Sequence, residues 1–171
     1  GCLDIALKQK LPCVHLVESA GVDLPNYSVK LWSKFGSVFY KKAKLSAAGI
    51  PVISILHGFS TAGGAYQIGM SDYVIGVKGN GMAALAGSAL LKAATGENAT
   101  NSDIGGVEMH SVVTGSVEYL VNDDAESIVT VRQLIDQLNW NENDAQKAIL
   151  NFDWLLYTSP SPRDLYRARR P

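Results

Sequence analysis

A glycine pair between an apolar run and a helical segment is the feature of this chain best suited to chemistry. Residues 50–72 read IPVISILHGFSTAGGAYQIGMSD. Ile50, Val52, Ile53, Ile55 and Leu56 bracket Ser54 in a run whose length suits a buried strand. Gly58 and the small residues Ser60, Thr61 and Ala62 are expected to break it, and Gly63-Gly64 to open a helix running through Ala65 to Met70. The first N–H groups of such a helix have no internal acceptor, and glycine there lets a substrate oxygen reach the backbone. One donor aimed at a developing oxyanion is typically worth about 3 kcal/mol of transition-state stabilisation. Close packing of helix on strand would call for the same glycines, so composition alone leaves both readings open.

A general base does not accompany the pair, because Ala65 to Ser71 contain neither acid nor histidine. Asp72, at the far end of that helix, suits a structural role before the next strand. Two rival motifs are present. Gly58-Phe59-Ser60-Thr61-Ala62 approximates the nucleophile elbow of a serine esterase, and Asp103 with His110 would complete the Ser, Asp, His order, although Ala62 replaces the last glycine. Gly79-Asn80-Gly81-Met82-Ala83-Ala84 fits G-x-G-x-x-A, with Asp103 at the distance of a ribose ligand, but a lone match of this kind is weakly specific. His15 and His57 fall in apparent strands and read as core or edge residues.

The elements that must position these residues alternate. Cys13–Val17 reads as a strand, followed by the loop Glu18-Ser19-Ala20-Gly21. Lys34–Ala48 is amphipathic, with Phe35, Val38, Phe39, Lys42, Leu45 and Ser46 spaced near three and four, and Gly49 stops it. Beyond the glycine pair, Tyr73–Val77 and Met82–Leu85 read as strands and Ser88–Ala94 as a helix ended by Gly96. Thr100–Ile104 reads as a helical turn capped by Thr100 or Asn101, Val117–Val121 as a strand, and Asp123–Leu138 as a helix with acids in its first turn. Asn139–Trp154 suggests a further helix of weak register. The alternation implies an α/β layered domain.

Composition fits part of a globular enzyme. The 171 residues are 47% hydrophobic, enough for one core, and no stretch approaches the roughly 20 apolar residues of a membrane span. A formal charge of −1 gives no field to draw nucleic acid, and the basic run Lys30, Lys34, Lys41, Lys42 and Lys44 reads as a solvated helix face. Cys2 and Cys13 are too few for a disulfide scaffold and lack zinc-site spacing, so no metal site is expected and a reducing compartment is.

Six blocks in order, LPCVHLVESAG at 11–21, FGSVFYKKAKLSAAGIP at 35–51, TAGGAY at 61–66, MSD at 70–72, LAGSALLKAATGE at 85–97 and DIGGVEMH at 103–110, resemble the carboxyltransferase (beta) subunit of biotin-dependent acyl-CoA carboxylases. TAGGAY and KAATGE are closest to the methylcrotonyl-CoA and geranyl-CoA branch. The resemblance implies a partial crotonase-like (ClpP/crotonase) α/β fold and transfer of CO2 from carboxybiotin to an acyl-CoA enolate, with a methylcrotonyl-CoA-like substrate favoured. It implies two oxyanion loops: Gly63 or Gly64 would supply one backbone N–H and Ala20 or Gly21 the other. Ser19, Ala62 and Ala65 would border the substrate, Ala86 and Gly87 would shape the acyl pocket, and Lys92 would reach a CoA phosphate unless it is simply a helix-surface lysine. The proton acceptor in that family is held to be the ureido nitrogen of biotin, which suits a site without a side-chain base.

Biotin would ride on a biotin carboxylase or biotin carrier subunit, since no Met-Lys acceptor motif occurs here. The resemblance further implies a homo-oligomer whose active site joins this domain to the second domain of a neighbouring subunit, no nucleic-acid or membrane partner, and a cytoplasmic or mitochondrial-matrix setting. Departures fall around Leu31–Lys34, where the family loop is longer, at Ser88-Ala89 in place of a Pro pair, and at Ile68-Gly69 in place of Pro-Ala. The subunit so resembled is about three times longer, so residues 1–154 are expected to be a fragment of its N-terminal domain. Residues 155–171, opening LLYTSPSPRD, resemble a translated sequencing adapter rather than a continuation of the domain. Within the superfamily, an acyl-CoA decarboxylase or hydratase/isomerase is the alternative.

Overall fold

The structure, a computed structural model, describes residues 1–19, 25, 28–138 and 140. Its centre is the apolar run itself. Strand β2 (Val52–Thr61) is paired in parallel by β1 (Cys13–Ser19) on one side and by β3 (Tyr73–Val77) on the other, and β5 (Tyr119–Val121) extends the sheet beyond β3. The short β4 (Met82–Ala84) pairs with the last three residues of β2 on the side opposite β1, above β3. Buried on both faces, β2 reads as a continuous apolar run rather than an alternating one.

Helices cover both faces. On one, α7 (Asp124–Gln137) lays Val131 and Leu134 on Ile53, Ile55, Ile75, Val77 and Val121. On the other, α3 (Gly63–Gly69) packs Ile68 against Val17, Leu56 and Val74. A third cluster, Ala6, Leu45, Ile50 and Val52, seats α1 (Cys2–Gln9) and α2 (Val29–Ala47). This is the α/β layered architecture expected.

Caps end the helices where the sequence indicates. Gly49 and Gly96 take left-handed φ values of 71° and 79° after α2 and α4 (Ser88–Thr95). Thr100 forms a capping box with Asp103 at the start of α5 (Asn101–Gly105), and Asp123 accepts from the Glu126 N–H at 2.8 Å ahead of α7. Asp72 has the structural role expected, accepting from the Val52 N–H at 2.8 Å and the Ser46 hydroxyl at 2.5 Å, which ties the starts of β2 and β3 to α2.

Several boundaries differ from expectation. Gly58 does not break β2; the strand continues through it to Thr61, and the Glu18 side chain lies over the glycine, its Oε1 2.7 Å from where a Cβ would stand. Strand β1 reaches Ser19, α2 begins at Val29, and β5 starts only at Tyr119. Helix α1 went unread, as did α6 (Val107–Met109), which widens into a π-helical turn at His110–Thr114. The helix suggested over Asn139–Trp154 lies, but for Trp140, outside the described residues. Among the described residues no helix is long and apolar enough to cross a membrane.

Candidate oxyanion site

The chain turns from β2 into α3 through Ala62, whose φ of 51° and ψ of −121° are strained for a residue with a side chain. Such a conformation costs on the order of 1–3 kcal/mol and persists only where the surroundings impose it. Here the Ala62 N–H donates to the carbonyls of Ala84 at 3.0 Å and Leu85 at 3.2 Å, so the end of β4 holds the turn. Among the described residues, neither the Gly63 nor the Gly64 N–H has an intrachain acceptor. Ala62 and Gly63 are exposed and Gly64 and Ala65 half-buried, so these donors lie at an accessible surface.

Gly64 is closely backed. A Cβ there would overlap the Ser19 hydroxyl and stand 2.7 Å from the Ser60 hydroxyl, and the two hydroxyls hydrogen-bond each other at 2.9 Å. Gly63 has more room, since its nearest neighbour would be the Phe39 ring at 3.9 Å. That ring meets Tyr66 edge-on, with centroids 6.1 Å apart. The end of β1 and the start of α3 are thus brought together, while Ala20 and Gly21, the other expected oxyanion residues, lie outside the described residues.

Ala86 and Gly87 follow directly on the Ala84 and Leu85 carbonyls that hold Ala62, and Gly87 caps α4. The loop is fixed by Asn101, whose Oδ1 accepts from the Ser88 N–H at 2.9 Å. Lys92 is exposed on α4. Of the residues named from sequence, Ser19, Ala62, Gly63, Gly64 and Ala65 are brought together, with Ala86 and Gly87 adjoining through β4.

The rival motifs do not assemble. Ser60 is fully buried in β2 and paired with Ser19. His110 faces the Ala83 carbonyl with Nε2 at 2.7 Å, and because a carbonyl only accepts, the proton sits on Nε2; Nδ1 meets the Thr114 hydroxyl at 3.0 Å. Asp103 is held in its capping box, where the Thr100 hydroxyl and backbone N–H lower its pKa. Ser60, Asp103 and His110 therefore form no relay, which corrects the esterase alternative. The Gly79–Ala84 motif leads into β4 rather than a helix, so the dinucleotide fingerprint lacks the helix N-terminus that would take a pyrophosphate.

Lys42 is the residue sequence reasoning misplaced. Expected on a solvated face, its side chain is 1% exposed, and Nζ donates to the Gln67 carbonyl near the end of α3 at 2.9 Å. Removal from water holds its pKa down at about 8. Its place in the apolar stripe with Phe35, Val38, Phe39 and Leu45 was the available signal. A cleft of about 290 Å³ bordered by Ser46, Ile50, Asp72, Tyr73, Leu138 and Trp140 opens where β2 and β3 begin, at the other end of the sheet from Gly63, and takes no part in this site.

The carboxyl transferase domain family matches residues 2–164. The chain belongs to that family. It is 43% identical over 136 residues to a probable biotin-dependent acyl-coenzyme A carboxylase beta2 subunit of Mycobacterium tuberculosis, covering 80% of this chain and 26% of the relative. It is 41% identical over 138 residues to a probable mitochondrial methylcrotonoyl-CoA carboxylase beta chain of Drosophila melanogaster, covering 80% and 24%. Among solved structures, the beta subunit of P. aeruginosa geranyl-CoA carboxylase superposes with a TM-score of 0.71 at 41% identity, covering 80% of this chain and 25% of that one. The carboxyl transferase chain accordingly spans about a quarter of the relatives it matches and has part of a crotonase-like domain.

Proposed function

We propose that this chain is part of the carboxyltransferase component of a biotin-dependent acyl-CoA carboxylase, and that the Gly63 and Gly64 amides hold the thioester oxygen of the acyl-CoA. The observation that carries this reading is the pair of N–H groups at the start of α3 without an intrachain acceptor among the described residues, Gly63 exposed and Gly64 half-buried and backed by Ser19 and Ser60. An acyl-CoA C–H is too weakly acidic to ionise unless the resulting negative charge is held. Donors already oriented towards the thioester oxygen meet that need without reorganising. As the C–H bond breaks, its electron pair passes into the enolate, or its vinylogous form for an unsaturated acyl group, and then forms the new C–C bond to CO2.

The residues fit a reaction whose proton acceptor arrives with the cofactor, because Ala65 to Ser71 carry no acid or histidine and Asp72, Asp103 and His110 are engaged elsewhere: Asp72 at β2, Asp103 at Thr100, His110 at Ala83. Biotin, carried on a partner subunit, would supply the carboxyl group and that acceptor. This chain would orient the acyl-CoA, with Ser19, Ala62 and Ala65 beside the thioester, Ala86 and Gly87 bounding the acyl group, and Lys92 directed to a CoA phosphate. Ala20 or Gly21 would provide the second amide. A methylcrotonyl-CoA-like substrate is favoured by relatives of about 40% identity bearing that name. A homo-oligomer joining two subunits at each active site agrees with a 26% identical transcarboxylase whose structure is described as a hexamer assembly. The mitochondrial beta chains among the relatives support a matrix location in a eukaryote. Residues 155–171 are read as foreign to the domain, and the uninterrupted coding sequence decides that junction.

The test is ATP- and bicarbonate-dependent carboxylation by the full-length protein with its biotin-bearing subunit, comparing methylcrotonyl-CoA with propionyl-CoA. Carboxylation favouring the first is expected. Acyl-CoA turnover without biotin would replace the reading with a hydratase/isomerase or decarboxylase.

A further inference from the structure

The Lys42 ammonium is buried without a carboxylate in ion-pair reach among the described residues. A buried cation so placed costs free energy that an apolar side chain of similar length would not, so core stability does not account for it. What it touches does. Its Nζ donates to the Gln67 carbonyl at 2.9 Å, and the same carbonyl accepts from the Ser71 hydroxyl at 3.1 Å, which in turn bonds Ser54 of β2 at 2.6 Å. The end of α3 is thereby fastened to α2 and β2, while its beginning carries Gly63 and Gly64.

We infer that Lys42 is a positioning residue for the Gly63 and Gly64 amides, its cation fixing and polarising α3 from the Gln67 end. The inference rests on the carboxyltransferase reading of those amides. A positive charge at a helix C-terminus interacts favourably with its peptide dipoles, and α3 has no basic residue of its own in its last turn. Seven residues make a helix of roughly 10 Å, short enough for a charge in a poorly solvated interior to be felt at the other end. The titratable neighbours of Lys42 on β1 do not offset it: burial raises the pKa of Cys13, and burial followed by repulsion from Lys42 lowers that of His15, so both are neutral at neutral pH.

The experiment uses the full-length protein with its biotin-bearing partner and measures kcat and KM for the acyl-CoA in Lys42→Met and Lys42→Gln. Both are expected to lose at least about tenfold in kcat with KM within about twofold, since the amides would be misaligned for the transition state while the acyl-CoA surface stays intact. A kcat within twofold of wild type, or a rise in KM with kcat unchanged, would overturn the inference. The unmodified enzyme gives a second reading should neither variant fold: single-turnover transfer is expected to fall above about pH 8 as Lys42 loses its proton, and a flat rate to pH 9.5 counts against the inference. Absence of carboxylation by the wild type refutes the functional reading itself, and shows before any variant is made.

Discussion

The Ser19 and Ser60 hydroxyls, 2.9 Å apart, fill the space that a side chain at residue 64 would need. Ser19 ends β1 and Ser60 nears the end of β2, and the two are register partners. The sheet therefore sets how closely the first turn of α3 can lie against it.

Gly64→Ala should displace that turn or push Ser19 aside. Overpacking of this kind costs about 1–3 kcal/mol, and losing one aligned oxyanion donor lowers kcat by about 10²–10³. Gly63→Ala is the control for volume, because its Cβ meets only the Phe39 ring at van der Waals distance. Thermal unfolding and kcat measured on both in the full-length enzyme should separate them, with Gly64→Ala the less stable. Equal stability of the two would mean that the Ser19 contact does not constrain the turn.

Ser60 should not behave as a nucleophile. Its hydroxyl is buried and paired, and neither Asp103 nor His110 is free to activate it. A fluorophosphonate is expected to leave the protein unlabelled. Ser60→Ala should cost about 1 kcal/mol of stability through the unpaired Ser19 hydroxyl. Labelling at Ser60 would restore the esterase.

Asp72→Ala removes the acceptor of the buried Val52 N–H and of the Ser46 hydroxyl. An unsatisfied buried donor costs about 1–3 kcal/mol. A lowered urea midpoint with an unchanged slope is expected; a midpoint equal to that of wild type would show that Val52 finds another acceptor.

Elements carried by local signals were legible. The apolar run of β2, the Thr100 and Asp123 caps and the glycines after α2 and α4 act within a few residues, and the structure has them where the sequence indicates. What was not legible depends on partners distant in sequence. Gly58 looks like a strand breaker until Glu18 is seen against it. Ala62 gives no hint of its positive φ, which the Ala84 and Leu85 carbonyls impose. The glycine pair itself was legible as a donor site, but its Ser19–Ser60 backing required the β1–β2 register. Lys42 was counted within a charge run, although its spacing put it in the apolar stripe one turn before the buried Leu45; composition outweighed periodicity there, and wrongly.

That burial carries a pH signature in stability. The folded pKa of Lys42, about 8, lies below its ordinary value of 10.5, so the unfolded chain holds the proton more tightly than the native one. Stability then rises with pH between about 8 and 10.5, and the full cost of burying the cation is present below pH 8. The contribution is on the order of 3 kcal/mol at most. Cys13, whose pKa burial raises against the opposing pull of Lys42, works the other way above pH 9. Urea unfolding of wild type and Lys42→Met should therefore show the variant's advantage largest near pH 7.5 and shrinking towards pH 10. A difference that stays constant over that range would mean that Lys42 does not change its charge on the way, and that its ammonium is better solvated than a side chain 1% exposed allows.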